Sequence, residues 1–177
     1  MPRPFVVRVG DLLREPGSRR DVDVRVDVEH YETTAARTIP GTDLTLAGVV
    51  MAMAGGVEVK GEVGFDWWGE CRRCLRDVHG HRDIEFREIA QRDPVDEEVL
   101  PIEGDLLDLE PLVRELVLSG LPLAPLCGDD CPGPDPERFP TATAADVEEE
   151  AAAREPQGDP RWAALDELDL GDDPDGA

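Results

Sequence analysis

The sequence predicts an α+β fold in which an antiparallel β-sheet is covered by one main helix and followed by a disordered acidic C-terminal tail. Three observations carry this. The first half shows strict period-two alternation of apolar and polar residues, the mark of half-buried strands. After Gln91 the apolar period becomes 3.6, the mark of a helix with one buried face. From Pro132 onward Pro, Gly and acidic residues dominate, and such a composition buries too little apolar surface to offset ordering entropy. A chain of 177 residues then divides into one domain, residues 1–131, and a tail, 132–177.

The strands fall at about residues 4–9, 20–30, 43–54, 56–69 and 82–90. Phe5 to Val9 form a short edge strand, and DLLREPG is one helical turn stopped by Pro16 and Gly17. DVDVRVDVE places Val22, Val24, Val26 and Val28 on one side and charged residues on the other. TDLTLAGVVMAMAGG is a more central strand ending in Gly55 and Gly56, which supply the positive φ of a hairpin turn. Val57, Val59, Val63, Phe65 and Trp67 continue the alternation, and a strand from Ile84 to Ile89 leaves a CxxC at the hairpin between them. The helix, about 108–119, sets Leu109, Leu112, Val113, Leu116 and Val117 on one face, with Asp108 as N-cap, Pro111 in the first turn, and Gly120 and Pro122 as its stop. In the tail, Trp162, Leu165 and Leu168 form a short helical segment near 160–169 behind Asp159 and Pro160. That segment either docks on a partner or folds back on its own domain.

The net charge of −23 is unevenly spread. Residues 1–92 hold 14 Lys/Arg against 16 Asp/Glu, and residues 93–177 hold 4 against 25, so nearly all the acidity lies in the back half. Such a charge disfavours broad phosphate-backbone binding and favours a basic partner or simple solubility. No apolar stretch has the length of a signal-peptide core or a membrane span, which points to a cytoplasmic protein. No Ser/His/Asp or Cys/His constellation and no phosphate-binding Gly loop stands out, so the sequence points away from an enzyme and from a small-molecule substrate.

Cys71 and Cys74 in GECRRCLRDV, and Cys127 and Cys131 in LPLAPLCGDDCPGP, are the only four cysteines. Two and three intervening residues let each pair aim its sulfurs at one tetrahedral ion, and four thiolates complete a closed structural zinc site. Metal-free buried thiols and a redox CxxC are the alternatives. Arg72, Arg73 and Arg76 would depress a neighbouring thiol's pKa, but a redox CxxC opens a helix and this one joins two strands. With Arg82 these arginines form the local cationic patch, a candidate RNA or partner contact, to which the exposed ring of Trp68 could add base stacking.

The order GECRRCL, an acidic spacer, DLLDLEPLVRELVLSGLPLAPLC, a further cysteine and a tail with DPRWAAL resembles the YceD family, the bacterial large-subunit ribosomal RNA accumulation proteins. The resemblance spans about Pro4 to Cys131. It implies a non-enzymatic ribosome-biogenesis factor that supports synthesis, processing or stability of 23S ribosomal RNA. It would act by binding that RNA or a basic ribosomal protein. An acidic holding chaperone for a basic ribosomal protein and a CxxC thiol-redox protein are the competing readings. Many relatives carry a GLCxxCG segment where this chain reads GPDPERF. If the family site uses the pair nearest LPLAPL, Cys127 and Cys131 are ligands; if it uses the later pair, they are remnants.

Overall fold

The computed structural model describes residues 3–96, 99–139, 142 and 144–153. The chain divides into two units, Met1–Pro134 and Asp135–Ala177. In the first unit the strands are β1 (Val6–Arg8), β2 (Arg19–Asp27), β3 (Ala36–Thr38), β4 (Asp43–Met53), β5 (Gly56–Glu70), β6 (Asp77–Gln91), β7 (Leu100–Glu103) and β8 (Leu106–Asp108). A 3-10 turn occupies Leu12–Arg14 and helix α1 runs from Glu110 to Gly120. In the second unit, helix α2 covers Ala144–Ala153.

This architecture corrects the layered α+β expectation. The strands follow the order β1-β8-β7-β6-β5-β4-β2, with β3 pairing β5, and make a strongly bent, nearly closed, barrel-like sheet rather than a flat layer under a helix. The physical reason lies in β5 and β6. Their fifteen residue pairs, from Gly56 opposite Gln91 to Glu70 opposite Asp77, exceed the common strand length of about five or six residues. One edge of β5 is shared in sequence, with β4 pairing Gly56–Gly64 and β3 pairing Trp67–Gly69. A sheet this long carries a large accumulated twist and rolls up to bury one face. Short β7 and β8 continue the roll, β7 joining β6 in parallel at Ala90 and Leu100.

Closure stops between β1 and β2, each of which pairs on one side only. At one end of that seam the Arg20 guanidinium spans the gap, donating to the Arg8 carbonyl and to the Asp11 carboxylate. The fully buried side chains of Leu44, Leu46, Val50, Val59, Val63 and Phe65 fill the rolled face. Helix α1 packs over that core at Phe65 and Ile84. Gly120 permits the approach, because a Cβ there would lie 2.1 Å from Ile84 Cδ1 and 3.2 Å from Phe65 Cζ. Leu109 takes the N-cap position, and the Asp108 carboxylate still accepts the Glu110 backbone N–H at 3.0 Å.

The tail expectation is corrected as well. Residues Ala144–Ala153 read AADVEEEAAA and form a helix, where the acidic composition suggested disorder. Ala is the strongest helix former and Asp146 complements the helix dipole in the first turn, so local propensity outweighs charge there. The segment around Trp162, Leu165 and Leu168 lies outside the described residues.

Candidate metal centre

The β5–β6 hairpin ends in the turn Cys71–Arg76, which is closed from within. Cys71 donates its backbone N–H to the Arg76 carbonyl at 2.8 Å, and Leu75 donates to the Cys71 carbonyl at 2.9 Å. Leu75 adopts the left-handed conformation, φ 59°, a state that costs an L-residue about 1–2 kcal/mol. A second loop arrives from the end of α1 through LPLAPLC. The Arg72 backbone N–H donates to the Pro125 carbonyl at 2.9 Å, which docks that loop on the hairpin turn. Arg73 adds a side-chain bond to the Asp129 carbonyl at 2.7 Å.

These contacts bring all four sulfurs within 4.8 Å of one another. Cys71 Sγ lies 3.7 Å from Cys131 Sγ, and Cys74 Sγ lies 3.7 Å from Cys127 Sγ. No disulfide links them. For tetrahedral zinc with Zn–S near 2.3 Å, the sulfur–sulfur edge is about 3.8 Å, which the two 3.7 Å pairs match and which no other pair exceeds by more than about 1 Å. Cys71, Cys74 and Cys131 are buried and Cys127 is exposed.

The surroundings favour thiolate. The Cys71 thiol is held down to about 6, first by the Cys74 backbone N–H and then by those of Cys127 and Arg73, against the opposing effect of burial. Cys74 is also lowered, chiefly by the Arg76 side chain, whose Nε donates to its Sγ at 3.3 Å. Arg76 Nη2 reaches Cys127 Sγ at 3.7 Å. In the metal-free cluster Cys127 moves the other way, to about 12, because the Cys131 sulfur shares a hydrogen bond with its protonated form. One thiolate beside a neighbouring protonated thiol is what close packing of like charges demands without a cation.

The remaining patch residues divide by role. Arg76 and Arg73 bond within the centre, while Arg72 and Arg82 are exposed. Trp68 is half-buried on the outer sheet face, with the Arg37 guanidinium 4.3 Å above its ring. Sequence reasoning missed Arg37 because β3 is only three residues long and its pairing with β5 is nonlocal. Trp67 turns inward and lies over Gly80, where a Cβ would meet the indole at 2.7 Å. His81 bridges Asp66, from Nδ1 at 2.7 Å, and Asp83, from Nε2 at 3.0 Å, and the hydrogen bond to Asp66 raises its pKa first, so it ties the outer face of the hairpin together.

The four-cysteine centre lies inside the stretch that matches a known family. The model of the large ribosomal RNA subunit accumulation protein YceD matches residues 59–169. The chain belongs to the YceD family. An uncharacterized protein of Mycobacterium tuberculosis (strain ATCC 25618 / H37Rv) is 30% identical to this YceD member over 176 residues, covering 93% of this chain and 81% of the relative. An uncharacterized protein of Mycobacterium bovis matches to the same extent. One of Mycobacterium leprae is 31% identical over 100 residues, covering 52% of this chain and 46% of its own length. No solved structure matches this YceD chain.

Proposed function

We propose that this YceD protein is a non-enzymatic cytoplasmic factor that supports accumulation of large-subunit ribosomal RNA by binding RNA through a zinc-clipped hairpin tip. The observation that carries the reading is the four-sulfur cluster, which ties the β5–β6 turn to the loop after α1 and fixes the exposed Arg72 beside it. Cys71, Cys74, Cys127 and Cys131 would hold the ion. A closed set of four thiolates leaves no position for water or substrate, so the ion's contribution is to fold the tip.

Trp68 with Arg37 above it offers a second contact element, since aromatic rings and guanidinium planes both stack on unpaired bases. The acidic back half supports a different partner, a basic ribosomal protein, to which the RNA effect would be secondary.

The test is filter binding of the full chain to large-subunit ribosomal RNA fragments. Replacing both Arg72 and Arg82 by Glu is expected to weaken binding at least about tenfold and to flatten its salt dependence. Affinity unchanged by the double substitution would place the RNA contact elsewhere or remove it.

Metal retention should also follow pH in a defined direction. A thiol lowered in the folded state favours folding as the thiolate and loses that contribution as pH falls through its folded value. Bound metal is therefore expected to leave as pH falls, once protons outcompete the ion for the thiolates, at a pH below the value of about 6 at which the metal-free Cys71 thiol titrates. Zinc release followed with a chromogenic chelator measures this, and retention unchanged down to pH 4 would contradict it.

A further inference from the structure

We infer that the open seam between β1 and β2 is a docking slot for an extended, basic segment of a partner protein, which would add to the sheet as a strand. The seam is distinct from the metal centre and the inference does not rest on the RNA reading. Arg8 lies beside Arg20 at one end of the seam. At the other end Phe5 and Val26 line the same cavity, so β1 and β2 run antiparallel; on β1 the Val6 N–H is already bonded to the Arg3 carbonyl and the Arg8 carbonyl to Arg20, which leaves β2 as the strand with a free edge. The cavity measures about 610 Å³, within the ~300–1,000 Å³ of pockets that take ligands. Phe5, Val26, Leu44 and Tyr31 give it an apolar floor.

The occupant follows from the rim. Asp27, Glu29 and Glu110 border the cavity, and none of the three is in an ion pair among the described residues. Arg3, the one cation lining it, is bound to Asp108 at 2.5 Å. Asp21 and Asp23 lie farther along the same exposed face of β2, beyond Arg25, which is paired with Asp43 at 3.5 Å. The free edge of β2 supplies main-chain hydrogen bonds to an added strand, the apolar floor takes every second side chain, and the carboxylates select cationic residues between them. Unlike the acidic back half, the seam can read backbone geometry as well as charge.

The probe is a fluorescein-labelled ten-residue peptide of alternating Lys and Val, titrated against the full chain. Saturable binding is expected, with amide shift changes at residues 3–8 and 24–31. N-methylation of every second peptide amide should weaken binding about tenfold, as should Asp27→Lys with Glu29→Lys in a variant whose Tm is unchanged. Absence of saturable binding would overturn the inference. So would shift changes confined to residues 139–177, affinity indifferent to N-methylation, or a concentration-dependent dimer in which a second copy fills the seam.

Discussion

Replacing Cys71 by Ser in the zinc-loaded chain is expected to lower Tm by on the order of 10 °C, and chelation of the wild type should produce a comparable fall. Cys71 is fully buried, its sulfur accepts the Cys127 backbone N–H at 3.5 Å, and it stands 3.7 Å from the Cys131 sulfur. Removing the ligand thus loosens the hairpin turn and the loop after α1 together, because few other bonds join them. Metal coordination is folding free energy where no preformed site exists in the unfolded chain. Hydrogen exchange should locate the effect. Amides at the tip, residues 69–78 and 125–131, should lose protection first, while those at the far end of β5 and β6 keep theirs. A C71S chain with wild-type Tm, in the presence and absence of chelator, would show that the sulfurs only fill space.

The second large effect belongs to the core. Phe65→Ala is expected to cost about 3–5 kcal/mol, the range for truncating a large buried aromatic. Phe65 is wholly buried on β5, and at Gly120 the helix α1 lies against its ring and Ile84. The protein cannot refill the space without moving the helix, and the helix is held at its start by the Leu109 N–H bonded to the Phe5 carbonyl at 3.0 Å. Urea unfolding measures the loss as a lower midpoint at unchanged slope. Val95→Ala, at a fully exposed position, is the control and should change stability by less than about 0.5 kcal/mol. A loss below about 1 kcal/mol at Phe65 would mean that α1 is not anchored there.

Much of this was written in local pattern, and what was not depends on distant pairing. Val22, Val24 and Val26 alternate with Asp and Arg because β2 has one inward face, and Val57 to Trp67 alternate for the same reason on β5. The two cysteine spacings identified which sulfurs belong together. That Cys71 faces Cys131 while Cys74 faces Cys127 depends on how the loop docks, and no spacing encodes it.

The start of β6 was hidden. DVHGHRD is polar because His79, His81 and Asp83 line the outer face, and the expected strand began at about 82 where the true one begins at Asp77. Gly80 reads as a strand breaker, yet it is there to clear the Trp67 ring. Strands β3, β7 and β8 have three or four residues each, too few for alternation to show, and they turn a layered sheet into a nearly closed one. Helix α2 was lost to its charge, since Glu148, Glu149 and Glu150 resemble a disordered acidic run while the flanking alanines favour helix.

The role given to the hairpin tip stands on the four sulfurs holding one ion. Native mass spectrometry of the full chain, purified without chelator, measures that directly. One zinc per chain is the expected result, lost on acidification and absent from the variant with Cys71 and Cys131 both replaced by Ser. An apo mass with full stability, or a mass four hydrogens lighter from two disulfides, would contradict it.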